Sequence, residues 1–122
     1  MVYVDGFLLP VSTDKVEAYR KMSEAAGKIW MEHGALAYKE CVGEDLTPAM
    51  PEGVTMVPFT QSAGTKDGET VIFSFIIYKD RQHRDEVNSK VMADPRIHES
   101  CVEDVFDCQR MAFGGFQSIV DL

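Results

Sequence analysis

The run Val71-Ile72-Phe73-Ser74-Phe75-Ile76-Ile77-Tyr78 constrains this chain more than any other feature. It is dominated by β-branched and aromatic residues, and only Ser74 interrupts it. A run of that length and type predicts a strand, and a strand apolar at both parities has to be central and covered on both faces. Each large side chain in it contributes about 1.5–3 kcal/mol when buried. The rest of the chain must therefore supply neighbouring strands and a covering layer for each face.

Residues 2–9 predict a first strand, also nearly all apolar, ended by Pro10. Asp14 with Glu17 reads as a capping box opening a helix. Apolar positions Val16, Tyr19, Met22, Ala26, Ile29 and Trp30 then recur at helical spacing up to His33, and Gly34 supplies the stop. Residues 35–42 predict a second strand of mixed polarity, with Leu36, Tyr38, Glu40 and Val42 on one parity, as expected of a wetter face or an edge. Residues 43–70 are a long Pro- and Gly-containing interruption, with 54–59 as a short extra strand inside it. After the central strand, Asp80 predicts the cap of a second helix reaching Ala93, and Asp94-Pro95 ends it. Residues 96–108 are irregular or a short helix. Residues 110–120 predict the last strand, with Gly114-Gly115 marking a bulge or a close backbone approach.

The order is βαββαβ, a ferredoxin-like α+β fold of one domain spanning residues 1–122, with 43–70 inserted between the second and third strands. A split βαβ pair gives a four-stranded antiparallel sheet with both helices on one face. The other face is apolar too, and sheet-to-sheet pairing with a second copy is the simplest way to cover it.

Charge excludes one class of function. Twelve Lys and Arg stand against twenty Asp and Glu, a formal net charge of -8, so the chain repels a phosphate backbone and nucleic-acid binding is disfavoured. The local run Lys79, Arg81, His83, Arg84, Lys90 is interleaved with Asp80, Asp85 and Glu86 and reads as a solvated helix face. Cys41, Cys101 and Cys108 include no Cys-x-x-Cys pair and predict free thiols in a reducing, cytoplasmic setting. Residues 2–9 lack the basic leader of a signal peptide, and 72–78 are too few to cross a bilayer, so no membrane role is expected.

Several segments together resemble the YbaA-like family of small uncharacterised bacterial proteins. They are Tyr3-Val4-Asp5-Gly6-Phe7, Trp30-Met31-Glu32-His33-Gly34-Ala35-Leu36, residues 69–78, residues 81–95 and Arg110-Met111-Ala112-Phe113-Gly114-Gly115-Phe116, and they cover nearly the whole length. The resemblance implies a dimeric α+β barrel, the fold shared by cofactor-free monooxygenases, muconolactone isomerases and stress-response barrel proteins. It implies no settled activity. A label tied to signal-recognition-particle RNA is carried by some relatives, and the acidic charge weighs against it. Where relatives often read Pro-Phe-Asp, this chain reads Val105-Phe106-Asp107-Cys108, which makes Cys108 a poor candidate for a shared mechanism.

Candidate site residues each have a plainer alternative. His33 and His83 are the candidate catalytic groups, since an imidazole titrates near neutrality. The alternatives are a helix C-terminal histidine for His33 and part of a charged helix surface for His83. Arg81 and Arg84 offer planar forks for a carboxylate or phosphate at a helix start, or simply ion pairs with their neighbours. Tyr3, Tyr38 and Tyr78 with Trp30 would line a ligand pocket, or fill a core or interface. Asn88, Met92, Asp94 and Arg96 would form a pocket rim, although turn chemistry explains Asp94-Pro95 by itself. The histidines show no metal-ligand spacing, no phosphate loop or nucleophile elbow is present, and no cofactor is called for. The function these features allow is small-molecule binding or cofactor-free catalysis in a barrel pocket. The alternative is a non-enzymatic, stress-related or regulatory interaction module. A segment 43–70 that closes over a cavity favours the first, and one lying exposed favours the second.

Overall fold

A computed structural model of the protein describes residues 1–99 and 104–122. Its strands are β1 (Tyr3–Ser12), β2 (Ala37–Val42), β3 (Glu69–Tyr78) and β4 (Ala112–Gln117). Helix α1 (Val16–Glu32) follows β1 and α3 (Arg81–Ala93) follows β3, with short α2 (Phe59–Ala63) and α4 (Arg96–Glu99) between the larger elements. The strands form one antiparallel sheet in the order β2-β3-β1-β4. This is the expected α+β arrangement, with β3 bonded on both sides and β2 at an edge.

Register divides the sheet into two faces. Tyr3, Asp5, Phe7 and Leu9 of β1 stand opposite Tyr78, Ile76, Ser74 and Ile72 of β3. Tyr38, Glu40 and Val42 of β2 oppose the same Ile76, Ser74 and Ile72. This face carries α1 and α3. Two core clusters form beneath them, one around Ile29, Ile76, Tyr78, Val87 and Val91, the other around Leu9, Val11, Tyr19, Ile72 and Val105. The opposite face presents Val4, Gly6 and Leu8 with Phe73, Phe75 and Ile77. There α2 covers only one end, where Phe59 meets the Phe73 ring edge-on at 6.2 Å. Phe73 and Phe116 remain about half exposed (47% and 60%).

Local chemistry explains the boundaries. The Asp80 carboxylate accepts from the His83 backbone N–H at 2.7 Å and caps α3 as predicted. α1 ends in a Schellman motif, with Gly34 N–H donating to Met31 C=O and Ala35 N–H to Trp30 C=O, and Gly34 takes φ +113°. At the start of α1 the prediction fails. A 3-10 turn over Thr13–Lys15 leads into the helix and no side chain caps it, so Asp14 and Glu17 form no capping box. Glu17 pairs instead with Arg20.

Two further expectations change, and a third resolves between its alternatives. Pro10 does not end β1, which runs on to Ser12. Pairing with β4 stops at Leu8, so Pro10 lies where the strand is bonded on one side only, and a missing N–H is tolerated there. Residues 54–59 form no strand, and the helical turn α2 begins at Phe59 instead. Gly114 and Gly115 keep continuous register with Gly6 and Asp5, so they form no bulge. They permit the close approach instead, because a Cβ on Gly115 would lie 2.2 Å from the Tyr3 hydroxyl and 3.0 Å from an Arg84 nitrogen. Cys41 and Cys108 are free and exposed, whereas Cys101 lies outside the described residues.

Gly115→Ala is therefore expected to destabilise the protein by about 1–3 kcal/mol through overpacking. Adding Tyr3→Phe should return part of that loss, because the clashing oxygen is gone. Urea unfolding of the single and double variants measures both.

Candidate functional site

Between α1 and the helix-bearing face of the sheet lies a cavity of about 260 Å³. Tyr19, Met22, Ser23, Ala26 and Trp30 of α1 form its roof. Phe7, Tyr38, Glu40, Ser74 and Ile76 form its floor, and Ile97, Phe106 and Met111 close one side. The roof exists because α1 sets these residues one turn apart on its buried stripe. It sits close to the sheet because Gly27 has no side chain: a Cβ there would lie 2.6 Å from the Tyr38 ring.

The wall is mostly apolar, and its carboxylate is Glu40. Glu40 extends from the edge strand beneath α1. The Tyr19 hydroxyl donates to its Oε2 at 2.8 Å and the Tyr38 hydroxyl to its Oε1 at 2.9 Å. Ser74 stands opposite Glu40 on the neighbouring strand. Burial raises the carboxyl above its ordinary range, and the neighbouring hydroxyls only partly offset that. The phenols of Tyr19 and Tyr38 are pushed up in turn, first by their own burial and then by the Glu40 charge.

A second polar cluster lies deeper. Asp5 is almost fully buried, and burial raises its carboxyl against the opposing pull of Arg84 and the Tyr78 hydroxyl. The Trp30 indole donates to the Tyr78 hydroxyl at 3.1 Å, which joins this cluster to the cavity roof. Arg84 donates to the Tyr3 hydroxyl at 3.0 Å and also lies over that ring at 4.9 Å from its centre. Its Nε faces Asp5 Oδ1 at 3.7 Å, too long for a hydrogen bond.

The sequence candidates distribute unevenly around this geometry. Trp30 and Tyr38 line the cavity. Tyr3, Tyr78 and Arg84 belong to the deeper cluster, and Arg81 faces solvent and pairs only loosely with Asp85 at 3.9 Å. His33 caps α1, with its Nε2 2.8 Å from Asp94. Arg96 and then His33 hold the Asp94 carboxyl well below the usual carboxylate range, and Arg96 reaches on to Glu32. His83 Nδ1 accepts from the Lys79 backbone N–H at 3.0 Å, and its ring meets Tyr78 edge-on. Neither histidine lines the cavity. Among the described residues no three His, Cys, Asp or Glu side chains gather as a metal site requires. Glu40, which lines the cavity, is not among the sequence candidates. Its signal was parity, since a carboxylate shares the face of Tyr38 and Val42 on a strand whose wetter residues alternate to the other side.

Comparison with known proteins places the chain in context. A family model described as "Protein of unknown function (DUF1428)" matches residues 2–108. The uncharacterized protein YbaA of Escherichia coli K12 is 40% identical over 121 residues, 99% of each chain, and its Shigella flexneri counterpart matches equally. Two solved structures share this fold. A mutant form of SnoaB, a cofactor-independent oxygenase from Streptomyces nogalater, has a TM-score of 0.57 at 12% identity, covering 99% of this chain and 96% of that one. Rv0793 from Mycobacterium tuberculosis has a TM-score of 0.57 at 14% identity, with coverages of 99% and 98%.

A carboxyl raised by folding binds its proton more tightly folded than unfolded. Stability therefore falls as pH rises from the ordinary Glu value through the raised value of Glu40. Glu40→Gln lacks that proton-linked loss. The melting temperature of wild type relative to Glu40→Gln is expected to decline as pH increases across that window. A constant difference would show that Glu40 is not held in its raised state.

Proposed function

The chain belongs to the DUF1428 family of proteins of unknown function, and from that premise we propose that it binds a compact, largely apolar small molecule between α1 and the sheet. The observation that carries this reading is the cavity itself, apolar around one hydrogen-bonded carboxyl. A mostly apolar hollow with a few convergent polar groups is the common form of a small-molecule site. Likeness of fold to a cofactor-independent oxygenase supports a mode of action in which side chains of the pocket act on the bound molecule. The candidate ligand contacts are Trp30 and Tyr38 on the wall, with Tyr3, Tyr78 and Arg84 bracing them from behind.

The same reading includes a homodimer. The sheet face of Phe73, Phe75 and Phe116 is apolar, α2 covers part of it among the described residues, and a second copy presenting the same face would bury it. Sedimentation velocity should give a dimer for wild type and a monomer for Phe73→Asp with Phe116→Asp. A wild-type monomer would defeat the dimer.

One observation favours a second reading. No residue of 43–68 lines the cavity, and Met50, Val54, Met56 and Val57 are exposed along that segment. An exposed apolar segment suits a non-enzymatic interaction module better than a lid. Ala26→Phe separates the two readings by filling the cavity from its roof. The expected outcome is a folded variant that loses the small-molecule adducts native mass spectrometry finds on wild type. Wild type free of adducts, and unmoved in melting temperature by a panel of compact aromatics, would favour the interaction module.

A further inference from the structure

The unused hydrogen-bonding capacity of Glu40 identifies what the cavity takes. Its two carboxylate oxygens offer about four lone-pair sites. Tyr19 fills one on Oε2 and Tyr38 one on Oε1. One acceptor site remains on each oxygen of a carboxylate that forms part of the cavity wall. A bound molecule is thus asked for a donated hydrogen.

Charge narrows the class. Among the described residues Lys39 is the one basic residue at the cavity boundary, and it alternates to the opposite sheet face from Glu40. An anionic ligand would find no counter-charge and would face the carboxylate. An ammonium group would bring three N–H donors to a carboxylate with two open acceptor sites and leave at least one unsatisfied there. A neutral molecule with one weakly acidic hydrogen meets both conditions.

Resting on the pocket reading above, we propose that Glu40 is the proton acceptor for a neutral, compact ligand bearing a hydroxyl or a C–H acidified by a neighbouring carbonyl. In the step, the ligand's O–H or C–H bond breaks and a new O–H bond forms on a Glu40 oxygen. The electron pair stays on the ligand as an oxyanion or enolate, and the neutral Glu40 hydroxyl donates a hydrogen bond back to it. No oxidant or reductant enters. Tyr19 and Tyr38 are positioning residues: one comes from the roof and one from the floor, so the carboxyl is held from both sides of the cavity.

β-Tetralone is a suitable probe, being neutral, compact and readily enolised at the methylene between its ring and its carbonyl. In heavy water, ligand-observed NMR reads binding and deuterium incorporation at that methylene from one sample. The expected result is binding together with exchange faster than in buffer alone. Glu40→Gln should still bind and should lose about 100-fold or more of the protein-dependent rate, the usual scale of a positioned general base. Glu40→Asp keeps a carboxyl but withdraws it by one methylene, so slowed exchange with binding retained is expected there. Because Glu40→Asp remains charged, it decides the matter if the Gln variant does not fold. Binding without accelerated exchange, or exchange at the wild-type rate in either variant, overturns the role of Glu40 and leaves the pocket standing. Absence of binding to wild type overturns the pocket reading and this one with it.

Discussion

The two-sided pairing of β3 is the constraint from which the other features follow. It hydrogen-bonds to β1 along its whole length and to β2 along much of it. Strict alternation then assigns Ile72, Ser74, Ile76 and Tyr78 to one face and Phe73, Phe75 and Ile77 to the other. A one-residue slip would exchange these sets, placing phenylalanines beneath α1 and leaving Tyr78 with no indole partner. Helix packing, the cavity floor and the apolar outer face are all consequences of that single register.

The helix-bearing face gains its polar character at a cost. Glu40 and Asp5 are carboxyls where hydrocarbon would be cheaper, and burial raises both. Glu40 is held by hydroxyl donors, and Asp5 has no tight ion pair either, since Arg84 stands off from it. Hydroxyls satisfy a carboxylate without cancelling its charge, so basicity is retained inside an apolar wall. Contrast Glu69, where two guanidinium contacts from Arg110 hold the carboxyl down to about 2 at the protein's margin. The first arrangement leaves the carboxyl raised, and the second holds it down at a loop end.

The fold was legible wherever one physical signal dominated. The 71–78 run announced the central strand, the Asp80 cap and Asp94-Pro95 framed α3, and Gly34 marked the end of α1. Prediction failed where context outweighed local chemistry. Asp14 and Glu17 have the spacing of a capping box, yet Glu17 is drawn to Arg20. Pro10 reads as a strand breaker until β4 is known to stop short of it. The site was less legible for a related reason. His33 and His83 attract attention by residue type, but their partners Asp94 and the Lys79 N–H are set by the turns that flank α3. Glu40 looks like ordinary strand polarity until Tyr19, distant in sequence, is brought over it by α1.

Gly27 gives that last contact a mechanical meaning. With no side chain between α1 and the Tyr38 ring, helix and strand meet almost backbone to ring, and the two phenols that grip Glu40 ride on opposite sides of that seam. Lifting α1 by a fraction of a hydrogen-bond length would withdraw the Tyr19 hydroxyl while leaving that of Tyr38 in place. A carboxylate stripped of one donor is a stronger base. In the proposed binding mode, parting the seam to admit a guest and sharpening the carboxylate that meets it are one movement.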